Sequence, residues 1–163
     1  MPGLIQLNSH LIGQARSFVS GISPMVYTGK CEPVFSSTIG QHLRHCIEHY
    51  DELLRAHREC RAVNYADRPR DFLLETDPSE ALRRLAATDA TLTALGNSAS
   101  PLKILDAGCE CPSESSLGRE LQYLVSHTVH HFAIIAIIAR HFDLAVPENF
   151  GVAPSTIKHR ASA

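Results

Sequence analysis

The stretch "SHTVHHFAIIAIIARHF", residues 126–142, sets three histidines at the start of an apolar run. On a helix, residues four apart lie about 40° apart around the axis and about 6 Å along it. His127 and His131 therefore project from one face as a two-pronged donor pair. They continue the line of Leu124, Ile134/Ile135 and Ile138, so they point toward an interior. Two neutral imidazoles in an apolar setting need partners for both ring nitrogens, and a divalent metal is one such partner. His130 stands about 60° off that line and reads as a rim group or as support behind a ligand.

A third donor has to come from elsewhere, and "GQHLRHCIEHY" offers His42, His45 and His49. Two histidine clusters on two helices point to a shared metal ion. Three histidines with the remaining positions open is the pattern of a catalytic site, since structural sites usually close with four protein ligands. Periodicity does not choose among the three, although His42 and His49 lie nearer the centre of their helix's apolar stripe than His45.

Four helices would have to position these groups. The first runs from about Leu4 to Ile22, with Leu4, Leu7, Leu11, Ala15 and Phe18 at helical spacing. Residues 23–37, with two prolines and a glycine, read as a loop. Thr38 and Gln41 have capping-box spacing and open a second helix that runs to about Cys60. Asp77-Pro78-Ser79-Glu80 opens a third, which Gly96-Asn97 would stop. The fourth spans about Ser116 to Phe142, and Pro147 bars its continuation. Lys103 to Asp106 could form a small strand. This pattern predicts an all-α four-helix bundle in a single domain of residues 1–163, with 146–163 as a C-terminal extension.

Here the chain resembles the DinB/YfiT-like superfamily of metal-binding four-helix bundles. The carrying residues are "STIGQHLRH" early in the second helix and "SHTVHHFAII" in the last. The resemblance assigns the metal ligands to His45, His127 and His131, with His49, His42 and His130 as alternatives or supporting groups. It implies zinc or nickel, or else iron or manganese, in a cleft at one end of the bundle. It also implies a homodimer, and an enzyme that activates water or a low-molecular-weight thiol, of hydrolase or thiol S-transferase type. A non-catalytic metal-stabilised small-molecule-binding or stress-response module is the alternative. The last motif departs from the family at Phe132-Ala133-Ile134-Ile135, where relatives often carry a polar residue.

Around such a metal, Glu48 is the candidate general base, while Glu52 reads as a solvated face residue. Tyr65, Arg68 and Arg70 follow the second helix and could bind a substrate carboxylate or phosphate; the two arginines could equally pair with Asp67 and Asp71 at the surface. Arg119 and Glu120 read as helix-start and packing residues. Cys109 and Cys111 ahead of His127 and His131 imitate a zinc finger, but about 11 helical residues, or roughly 16 Å, separate Ser116 from His127. "FGVAPSTIKHR" imitates a recognition helix, yet a net charge of −2 argues against nucleic acid. No stretch reaches the roughly 18 uncharged apolar residues of a membrane span, and the first residues lack a signal-peptide pattern. Five cysteines in that setting are expected to be reduced, in a cytoplasmic protein.

Overall fold

The computed structural model describes residues 3–34, 36–95, 100–105, 108–109 and 111–162. The helices are α1 (Leu4–Val19), α2 (Pro24–Tyr27), α3 (Ile39–Arg58), α4 (Leu73–Thr76), α5 (Pro78–Thr93), α6 (Leu117–His141) and α7 (Pro154–Ala161). Two short strands, β1 (Pro101–Ile104) and β2 (Ser113–Ser116), pair antiparallel with Pro101 opposite Ser116. The four long helices form a four-cornered bundle: α1 packs on α5 and α6, and α3 packs on α6 and α5. The expected stop at Gly96-Asn97 lies outside the described residues, as does Asp106.

The start signals act as their chemistry requires. The Thr38 hydroxyl accepts from the Gln41 amide, and the Gln41 side chain accepts from the Thr38 amide, both at 3.1 Å. Asp77 accepts from Ser79 N ahead of α5, and Ser116 accepts from Arg119 N ahead of α6. Gly40, in the first turn of α3, is pressed against the next layer. A methyl group there would come within 2.1 Å of the Glu75 carbonyl oxygen, which brings α4 hard against α3.

One expectation needs correction. Residues 23–37 are not all loop, because Ser23 caps the one-turn α2 and Pro24 begins it. Helix α6 ends at His141, in line with the expected end near Phe142; the chain leaves it through Asp143, whose φ of 54° is left-handed.

A buried polar chain fixes how α1, α3 and α6 meet. Asn8 donates to the carbonyls of Leu4 and Leu121 and accepts from the Tyr50 hydroxyl at 2.7 Å; Thr128 donates to the same hydroxyl. Each group is buried, so a slip of one helix would strand several polar atoms without partners. Tyr50 lies on the histidine-bearing part of α3 and Thr128 follows His127, so this chain also sets the register of the histidines.

The C-terminal extension docks on the α1–α6 seam. Phe150 is 5% exposed and stacks on Phe132, with centroids 4.4 Å apart and planes within 5°; it also meets Phe18 at 4.9 Å. Gly151, at φ 73°, lies so close to α6 that a Cβ would fall 2.5 Å from Ala133 N. The missing side chain at Gly151 is thus what lets the tail approach the α6 backbone at Phe132 and Ala133. Helix α7 buries none of its residues, so it lacks the packed helix pair of a helix-turn-helix. By length and composition α6 could cross a membrane, but half of its apolar stretch is buried in the bundle.

Candidate metal centre

The α3–α6 seam brings the two histidine clusters together. One ring nitrogen from each of His45, His127 and His131 lies within 4.8 Å of the others, and all three residues are half-buried. Their ring centroids stand 4.6–4.9 Å apart. His127 and His131 meet through the one-turn spacing within α6, whereas His45 arrives from across the seam.

Burial pushes these imidazoles far toward the neutral form. His45 falls to about 2, through burial first and then through His49, His131, His127 and Arg68. His131 falls to about 3 and His127 to about 4, again mainly through burial. At neutral pH each offers a lone pair without first losing a proton. Tetrahedral bonds of about 2.0–2.1 Å place donor nitrogens roughly 3.4 Å apart, so small ring rotations would close this cluster on an ion. Among the described residues no carboxylate or thiol joins the group. The donors fit a borderline ion such as zinc or nickel.

The other histidines surround this set in different ways. His49 is buried, and its Nδ1–H donates to the His45 carbonyl at 2.7 Å. Its ring leans on His127 with centroids 4.1 Å apart. His42 meets His131 through the two Nδ1 atoms at 2.9 Å, and its Nε2 is 2.8 Å from the Ser37 hydroxyl. His130 is exposed and meets His131 in a T-shaped ring contact, with centroids 5.2 Å apart. Tyr123, one turn before His127, places its hydroxyl 3.0 Å from His127 Nδ1.

The segment after α3 folds back over the cluster because Val63 is stitched to β1. Val63 N donates to the Lys103 carbonyl, and Leu105 N donates to the Val63 carbonyl, both at 2.8 Å. Tyr65 then stacks on His49, with centroids 5.1 Å apart, and donates its hydroxyl to Glu120. Glu120, read from sequence as a packing residue, is 0% exposed and also accepts from Ser115 and Arg119. Three residues later, Arg68 extends its guanidinium to His45 Nδ1 at 3.2 Å and toward His49 Nε2 at 3.5 Å.

Of the expected substrate groups, Tyr65 and Arg68 reach the histidines and Arg70 is exposed. Arg68 is not paired with Asp67 or Asp71; its acidic neighbour is Glu48 at 3.9 Å, and Asp71 pairs with Arg84. Glu48 is buried behind Arg68, accepts from Asp71 N at 2.9 Å and faces Arg44 as well. Burial nevertheless raises its affinity for a proton. Glu52 is not a solvated residue. It is 2% exposed and is saturated by Arg55, Arg61 and the Asn64 amide. Cys109 and Cys111 are exposed free thiols outside the histidine group, so no zinc finger is assembled.

Sequence reasoning missed Tyr123, Glu120 and Ser37. Tyr123 carried a signal: it extends the i, i+4 series of His127 and His131 one turn back. Glu120 carried none, since Tyr65 reaches it from a returning segment; Ser37 lies just ahead of the Thr38 cap, within local reach of His42.

A helical bundle with three histidines converging across one seam defines a class of protein in which an ion could sit between helices. The sequence profile of the DinB superfamily matches residues 14–135, most of the chain, and the protein belongs to that superfamily. A similar stretch occurs in the FK506-binding protein 5 of Rhizopus delemar, 34% identical over 105 residues. The match takes in 60% of this chain and 27% of that protein, so the chain spans about a quarter of the length of the relative it matches. No solved structure matches significantly.

Proposed function

We propose that His45, His127 and His131 hold a divalent metal ion, zinc or nickel ahead of iron or manganese, and that the protein is a metal-dependent enzyme of hydrolase or thiol S-transferase type. The observation that carries this reading is the convergence of three neutral imidazoles with no fourth protein donor among the described residues. A divalent ion there supplies the Lewis acidity that makes water or a small thiol nucleophilic at neutral pH.

The chain's own groups have distinct parts in this reading. His49 and the stacked Tyr65 wall the cleft and exclude water from one side. Arg68 brings the only guanidinium hydrogen-bonded to these rings among the described residues, and it receives a substrate carboxylate or another anion by charge-assisted hydrogen bonds. Glu48 balances Arg68 and holds the Asp71 amide, which keeps the returning segment in place.

That engagement of Glu48 is the observation favouring the second reading, a metal-stabilised binding module. The nearest expected general base is tied to an amide and two arginines. Cobalt substitution separates the two. An enzyme gives a spectrum that shifts when thiols or small carboxylates are added; a module with a closed coordination sphere gives one that does not. A thermal-shift panel of glutathione, bacillithiol, mycothiol and cysteine then names the substrate class, because a ligand bound only by the folded state raises its stability by mass action.

A homodimer in the cytoplasm belongs to the same proposal. Exposed Met25, Phe72 and Leu73, on and beside the adjoining short helices α2 and α4, offer apolar surface for it. Light scattering at micromolar concentration tests the dimer, and a monomer mass would remove it.

A further inference from the structure

His42 contributes no atom to the group of three, yet its ring is engaged at both nitrogens. Its Nδ1 is 2.9 Å from His131 Nδ1, and its Nε2 is 2.8 Å from Ser37 Oγ. Two imidazole nitrogens facing each other at that distance share one proton: one is N–H and the other presents a lone pair. His131 cannot offer Nδ1 to an ion, because His42 stands in front of it. Its available donor is Nε2.

A neutral imidazole that gives the Nε2 lone pair carries its proton on Nδ1. His131 Nδ1–H therefore donates to His42 Nδ1. His42 must then carry its own proton on Nε2, where the Ser37 oxygen accepts it. Every group in this chain is neutral and every contact has one donor and one acceptor. The arrangement is anchored by local structure, since Ser37 precedes the Thr38 cap and His42 lies in the first turn of α3.

We propose that His42, backed by Ser37, is a positioning residue that fixes His131 as an Nε2 ligand and is not itself a ligand. The inference rests on the metal reading above. The other two rings lack this support. His127 Nδ1 meets a phenol hydroxyl, which can donate or accept and so selects no tautomer. His45 Nδ1 meets a guanidinium, which can only donate.

The test is zinc affinity, by competition with a chromophoric chelator, together with the cobalt absorption spectrum, for the parent, His42→Ala, His42→Asn and Ser37→Ala. The expected loss in His42→Ala is about 10- to 100-fold in zinc affinity, with cobalt bands that still report three imidazoles. Asn places an amide oxygen near the former Nδ1 and accepts from His131, so His42→Asn recovers most of the loss. Ser37→Ala weakens binding roughly threefold. Parent affinity in His42→Ala overturns the proposal, as does a His42→Asn variant no better than His42→Ala. Loss of an imidazole band in His42→Ala overturns it too, by making His42 a ligand. Should His42→Ala not fold, an unchanged affinity in Ser37→Ala overturns the proposed backing. A parent protein that binds no zinc removes the metal reading itself, a result distinct from a bound ion indifferent to His42.

Discussion

The two helices that supply the histidine cluster do so on unequal terms. On α6, His127 and His131 are one turn apart, so the helix alone sets their spacing, and each ring is braced by Tyr123 or His42. On α3, His45 depends on the register between helices, and its Nδ1 faces the Arg68 guanidinium. A donor at that nitrogen competes with a cation for the ring's lone pair. On the proposed metal reading, the α6 side would set affinity, and the α3 side, with its returning segment, exchange and selection.

The strongest way to break this comparison is to remove the α6 pair. His127→Ala with His131→Ala should lower bound metal to background in elemental analysis. His45→Ala should retain weak binding through the remaining pair. Equal behaviour of the two variants would erase the asymmetry.

The second prediction concerns acid. His45, His49, His127 and His131 sit at about 2, 3, 4 and 3 in the folded state, against about 6.5 when unfolded, burial being the main cause throughout. As pH falls below 6.5 the unfolded chain takes up protons that the folded protein refuses. The stability these groups contribute is therefore complete above pH 6.5 and drains away as pH falls toward the folded values of about 4 to 2. The slope is up to about 1.4 kcal/mol per pH unit for each histidine. Denaturant titrations of chelator-treated protein between pH 7.5 and 4.5 measure it, and a flat profile contradicts the burial of these rings.

Arg68→Met sharpens the contrast further. It should raise zinc affinity roughly three- to tenfold by removing a nearby positive charge, while abolishing the response of the cobalt spectrum to added acetate. A fall in zinc affinity would make Arg68 a support and not a competitor. Tyr123→Phe is expected to do less, weakening zinc binding roughly threefold through one lost hydrogen bond. The smallest effect on metal belongs to Phe150→Ala. It should cost about 3 kcal/mol of stability in denaturant melts, as for other buried aromatics, and leave zinc affinity where it was.

Much of this was legible in the chain because local chemistry determines it. Thr38 and Gln41 cap α3, Asp77 and Pro78 open α5, and the one-turn spacing of His127 and His131 survives folding unchanged. Helix α2 was legible but overlooked, since Ser23-Pro24 carries the same start signal as Asp77-Pro78. Glu52 was misread because a helical wheel sees one helix at a time; the groups that bury it, Arg61 and Asn64, return from beyond the helix end. Strand β2, "SESS", has no apolar alternation and forms because β1 offers it a partner. The wheel ranked His42 above His45 by distance from the apolar stripe. The cluster forms at the stripe's margin, where α3 meets α6, so a half-buried ring reaches it while His42 braces it from one side.

The docking of Phe150 and Gly151 carries a practical implication. Their berth faces α1, on a different flank of α6 from the imidazoles, so durability and chemistry occupy separate addresses on one rod. An engineer could recast the tail for hardiness, or graft another segment onto Ala133, without retuning the cation pocket. Mutations gathered in a screen for heat resistance and those gathered for altered metal binding, if the proposed site is right, should accordingly sort onto different flanks of that helix.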